Sequence, residues 1–142
     1  MFNILSGLQE GSRSVAVVSR QSNGATFTKG NVVITSGGKL NPANAADAAF
    51  VEFVFEDLTG NSSGKYTVVF GTFEAECDQL DDVTNGAIAV DDKLVSVASI
   101  IAKAAPADVA AGNFWGKVVS VSTIVDLTKG GGGAKTITFR TR

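Results

Sequence analysis

Because the chain contains no histidine, its chemistry would have to fall to carboxylates, lysines or Tyr66, and the carboxylates are the most grouped. That absence removes Ser-His-Asp and Cys-His nucleophile pairs, histidine-ligated zinc and iron, and the commonest general acid and base. What is left is a run of acids, Glu74, Glu76, Asp78, Asp81 and Asp82, followed by Asp91 and Asp92. Paired carboxylates hydrolyse glycosidic bonds, one as acid and the other as base or nucleophile. Oxygen ligands of the same kind hold Ca²⁺, but this stretch lacks the spacing and turn glycine of an EF-hand loop. Glu74 and Glu76 lie two apart on an expected strand and so share a face, as on any solvated strand. The reading is a protein that is not an enzyme, with no catalytic residue, no metal and no cofactor.

Four other features invite a chemical reading. Cys77 is the only cysteine, which excludes an intrachain disulfide and a cysteine-rich zinc site and suits a reducing compartment. Its neighbours Glu76 and Asp78 disfavour a thiolate, so an inert, partly buried thiol is expected. The glycines at 130 to 133 lack the Gly-Lys-Ser/Thr ending of a phosphate loop and precede a strand, so they read as a hairpin tip. Phe114 and Trp115 suggest a stacking platform for sugar or base, or else aromatics that begin a core strand. Arg140 and Arg142 are placed to pair with acidic groups on a partner, the plain alternative being a charged tail.

At 142 residues the chain fits one domain whose core needs no disulfide or metal staple. Only 18% of residues are charged, with Ser, Thr, Asn and Gly filling the gap, as in proteins made of strands and turns. The net charge of −2 and scattered basic residues argue against broad attraction to nucleic acid or an anionic membrane. The first residues have no basic segment and too short an apolar run for a signal peptide, and no stretch approaches a membrane span. A soluble chain made in the cytoplasm is expected.

The elements that must position these residues are strands. Residues 86 to 98 read as two strands about an Asp91-Asp92 turn, and residues 30 to 43 look like a copy, matching Gly30 to Gly86, Ile34 to Val90, Lys39 to Lys93, Leu40 to Leu94 and Ala43 to Ala98. Residues 14 to 20 read as a strand ended by the hairpin signal Asn23-Gly24. Residues 50 to 56 and 66 to 75 form an expected long hairpin that needs a kink at Gly71. Residues 41 to 49 read as a single helical turn capped by Asn41 with Pro42 at its first position, or as an Ala-rich loop, and another turn is expected over residues 106 to 112. Strands are expected again over residues 115 to 125 and 136 to 142. The sum is an all-β domain, a barrel or a tulip- or sandwich-like fold, over residues 14 to 142. Residues 1 to 13 have no period, and Phe2, Ile4, Leu5 and Leu8 mark them as an arm anchored on a neighbouring subunit or surface.

The Gly38-Lys39-Leu40 turn with its Asp92-Lys93-Leu94 counterpart, the strand Val-Val-Phe-Gly-Thr-Phe-Glu-Ala and the ending Asn-Phe-Trp-Gly-Lys-Val-Val-Ser-Val-Ser with Thr-Ile-Thr-Phe-Arg together resemble a known class. It is that of the small β-barrel virion proteins of tailed bacteriophages, in particular the capsid decoration, or cement, proteins. The resemblance implies a homotrimer on the outer capsid surface that binds the major capsid protein and bridges its subunits, with virion localisation and no nucleic-acid or membrane partner. Tail, neck or head-completion barrels and a carbohydrate-binding β module are the alternatives.

Overall fold

The computed structural model describes residues 2 to 6, 15 to 56, 64 to 125 and 133 to 142, which form two sheets. The smaller sheet comes from one continuous part of the chain: β2 (Val15–Gln21), β3 (Val32–Ser36), β4 (Lys39–Pro42), β5 (Glu52–Val54) and β6 (Lys65–Gly71), in the order β2-β6-β5-β3-β4. The larger one combines β1 (Phe2–Ser6) with β7 (Glu74–Cys77), β8 (Leu80–Asp81), β9 (Lys93–Val97), β10 (Ile100–Lys103), β11 (Gly116–Val125) and β12 (Gly133–Thr141). Its order is β1-β7-β12-β11-β9-β10-β8, antiparallel throughout except for the parallel pair β8 and β10. The expected all-β fold is present in its sandwich form, and the described residues close no barrel.

Alternation decides which side chains meet between the sheets. Val32, Phe53 and Val69 of the small sheet face Ala75, Leu94, Val118, Ile137 and Phe139 of the large one. Phe53 sits at the centre of an aromatic cluster, 5.1 Å from the Trp115 ring, 5.4 Å from Phe73 and 5.6 Å from Phe139. The small sheet is buried on its other face too, where Val33, Val54 and Val68 pack with Phe27 and Tyr66. Burial on both faces explains why Val32-Val33 and Val68-Val69 are unbroken apolar pairs and do not alternate with polar residues.

Gly71 carries the chain from one sheet to the other. It has φ +119°, a conformation open to glycine, and it ends β6 just before Phe73 enters the core and β7 begins. The kink was expected; its result is a change of layer, with Phe70 left on the outer side 6.0 Å from Phe50. A second junction lies at the β9–β10 turn, where the Ser99 N–H donates to the Ala43 carbonyl and Ala98 N–H to the Asn44 side chain.

Several local expectations change. The Asn23-Gly24 turn exists, with Gly24 at φ +112°, but no returning strand follows. Phe27 leaves the sheet plane instead, and its N–H donates to the Tyr66 hydroxyl at 2.9 Å. The helical turn expected within residues 41 to 49 is a 3-10 turn at Ala45–Asp47, capped not by Asn41 but by Asn44, whose N–H donates to the Asp47 carboxylate, because Pro42 still belongs to β4. The proposed repeat holds only in part: Leu40 and Leu94 are both buried strand residues, whereas residues 86 to 90 form no strand and Val90 is half exposed. The helix α1 (Pro106–Ala111) is closed by Gly112 at φ 72°, as its sequence predicts.

Candidate functional site

Residues 1 to 13 were expected to lie on a neighbour, yet the described part is a strand of its own sheet. β1 pairs antiparallel with β7, Phe2 opposite Cys77 and Ile4 opposite Ala75. Phe2 is fully buried, stacked 5.8 Å from Phe53, and Ile4 is partly buried against the same core. The reason is the open edge of β7, whose backbone groups β1 satisfies while Phe2 fills the space over Phe53. Leu5 alone points outward, and Leu8 lies outside the described residues.

The acidic run does not converge. Glu74 accepts from Arg140 at 3.0 Å, and Glu76 accepts from Asn3 at 2.9 Å. Asp81 caps its own turn through Val83 N–H, Thr84 N–H and the Thr84 hydroxyl, which hold its carboxyl below the ordinary 3.8. Burial alone raises the Asp82 carboxyl, but the Ile88 N–H and the Lys135 ammonium, each at 2.8 Å, outweigh it and leave the group lowered. Among the described residues no group of acids and cysteine is arranged to hold a metal ion. Burial pushes the Cys77 thiol up to about 11, against the Gly30 backbone, in keeping with an inert group.

The aromatic pair separates into two roles. Trp115 is buried, and its indole N–H donates to the Ser96 hydroxyl at 3.0 Å, so it is a core residue and no platform. Phe114 lies at the surface of one end of the sandwich, with the Arg142 guanidinium 4.3 Å from its ring centroid and the Lys93 ammonium at 5.3 Å. Arg142 is fixed further by donating to the Gly112 carbonyl at 2.7 Å.

Arg140 and Arg142 are thus brought together, and the strand register adds two lysines that sequence reading missed. Lys117 on β11 stands opposite Lys93 on β9 and opposite Arg140 on β12, so all three share the outer face of the large sheet. Their inward neighbours Leu94, Val118 and Phe139 are in the core. Lys117 meets Asp91 at 3.2 Å. The pairing slips between Val118 and Ser120, and this bulge leaves Val119 exposed beside the lysine. Gly116 forms part of the floor, where a Cβ would stand 2.9 Å from the Arg140 carbonyl oxygen.

These residues enclose an open groove of about 370 Å³. A second groove of about 500 Å³ lies beyond the Phe114–Arg142 ridge, lined by Phe50, Phe70, Ala111 and Asn113. Alternation alone puts Lys117 on an outer face, but nothing in the sequence pairs β11 with β9, twenty residues upstream by chain order. No family model, curated protein or solved structure matches the chain.

Proposed function

We propose that this chain is a structural virion protein, a capsid decoration protein that binds the outer surface of a tailed-phage head and bridges capsid subunits. The observation that supports it most is the division of its polar side chains. Glu74, Glu76, Asp81 and Asp82 are each tied to a separate partner within the fold, whereas Lys93, Lys117, Arg140 and Arg142 gather on one outer face. That is the layout of a surface that docks and does not turn over substrate. With Phe2 in the core of its own chain, this reading places attachment at this end of the sandwich. The partner in this reading is the major capsid protein and the assembled state a homotrimer.

Native mass spectrometry gives the mass and symmetry of the free protein, and co-sedimentation with purified tailed-phage heads tests attachment. A trimer that saturates the heads at a fixed stoichiometry is expected; a monomer that stays in the supernatant ends the reading.

A carbohydrate-binding module is the second reading, favoured by the exposed ring of Phe50 on the larger groove. Titration with oligosaccharides, followed by the chemical shifts of Phe50 and Phe70, separates it from the first.

A further inference from the structure

We infer that the groove between Phe114 and the β11 bulge is a docking site for an acidic, extended segment of a partner protein, whose carboxylates meet Lys93, Lys117 and Arg142 while an apolar residue lies on Val119. The inference rests on the reading of the chain as a docking protein, and not on which assembly it joins.

The charge arrangement carries the argument. Lys93, Lys117 and Arg140 occupy one row across three neighbouring strands, which lie about 4.8 Å apart in the hydrogen-bonding direction. Like charges directly opposite each other destabilise a sheet, so this row works against the fold that holds it. Arg140 is neutralised by Glu74 and Lys117 by Asp91. Lys93 and Arg142 have only the Phe114 ring and backbone carbonyls, and among the described residues neither forms an ion pair with a carboxylate. In a chain of net charge −2, the groove thus holds two cationic side chains, Lys93 and Arg142, that no described side-chain carboxylate pairs.

The remaining features select the kind of anion. Val119 is 41% exposed at the groove, and Phe114 gives it an apolar wall, so a ligand with alternating carboxylate and aliphatic side chains matches both. In an extended segment successive side chains point to opposite sides, so the carboxylates face the cation row together and the aliphatic side chains turn from it toward the apolar wall. A nucleic acid matches less well, because Glu74 and Asp91 flank the cations and the chain as a whole is negative.

Asp91 has a particular place in this arrangement. Its carboxylate, exposed and 3.2 Å from Lys117, occupies the position that a ligand carboxylate would take. Removing its charge leaves Lys117 free for the ligand. Asp91 adopts φ 71°, a conformation that asparagine tolerates well, so Asp91→Asn is compatible with the backbone.

The test uses the full chain and a fluorescein-labelled peptide of alternating glutamate and valine, read by anisotropy at low salt, about 50 mM. Saturable binding is expected, weakened by about tenfold or more in the K93E/R142E variant and strengthened several-fold in D91N. The gain in D91N cannot come from unfolding, and circular dichroism checks the fold of the double variant. A wild-type protein that does not bind the peptide, binding indifferent to both variants, or equally tight binding of an oligothymidylate of the same length overturns the proposal. Peptide binding without attachment to phage heads keeps the groove and removes the virion reading; attachment to heads by a protein that ignores the peptide does the reverse.

Discussion

The carbonyl oxygen of Ser99 accepts the Val32 N–H at 2.8 Å, and this bond ties the β9–β10 turn of the large sheet to the first residue of β3 in the small one. The turn that makes the bond is built without glycine. Ala98 and Ser99 have φ 46° and 70°, left-handed values that side chains resist, and the Ser99 hydroxyl is buried with no hydrogen-bond partner among the described residues.

Ser99→Gly is therefore expected to stabilise the protein. Relief of a left-handed residue contributes about 1 kcal/mol and loss of an unpaired buried hydroxyl about 1 to 3 kcal/mol, against about 1 kcal/mol for the freer unfolded chain. The backbone bond to Val32 is untouched by the change. Urea unfolding should show a higher midpoint at constant slope, and a midpoint lower than that of the parent would mean that the hydroxyl has a role in the fold.

Phe2→Ala is expected to cost about 3 to 5 kcal/mol, the usual range for emptying a buried phenylalanine site. Phe2 is fully buried among Phe53, Phe73 and Phe139. The same midpoint should be lowered equally at all protein concentrations. A loss that vanishes in dilute samples would instead return Phe2 to the interface between subunits that its sequence position suggests.

Acid sensitivity follows from Asp81 and Asp82, both lowered from an ordinary 3.8 in the folded chain. A lowered folded value means that the stabilisation is complete above the unfolded value and is lost as pH falls through the folded one. Stability contributed by these groups should be level from pH 7 to about 5 and decline below about 4. The D81N/D82N variant should start lower at neutral pH and lose less on acidification, measured as urea midpoints across that range. Parallel curves for the two proteins would assign the acid loss to other groups.

Arg20→Ala is expected to cost about 2 kcal/mol, because it strands a buried charge. Glu52 is fully buried and accepts from Arg20 Nε at 3.0 Å and from the Thr35 hydroxyl at 2.8 Å, while Arg20 remains partly solvated. Replacing both by leucine should recover most of the loss in the same unfolding experiment. A double variant as unstable as the single one would show that the ion pair itself, and not the orphaned carboxylate, sets the cost.

Glu52 also marks the limit of what the sequence makes legible. Alternation along residues 51 to 54 puts Phe53 and Val51 on one face and Glu52 and Val54 on the other, as the fold has them, but a glutamate on a strand reads as solvent-facing. Its burial depends on β2 and β3 bringing Arg20 and Thr35 to it from distant positions. The same holds at the groove: Arg140 and Arg142 stand out in sequence, whereas Lys93 and Lys117 join them only through strand register. Local signals, such as Gly71 and the Pro106 to Gly112 turn, were readable because each acts on its own neighbours. The place of Phe2 in the core is not legible locally, because its partner on β7 lies seventy-odd residues away and no local period announces the pairing.

The position of β12 has a consequence for how the protein is made. It follows every other described strand in the chain, yet it lies between β7 and β11 near the middle of the large sheet. Ile137 and Phe139, which it brings, belong to the aromatic centre. While the nascent chain is still short of them, the small sheet has all of its strands, but the rings of Phe53, Phe73 and Trp115 have no Phe139 to close over them. The sandwich can therefore close only after synthesis has passed β12, and a chain cut off before it would leave the ribosome with its core open.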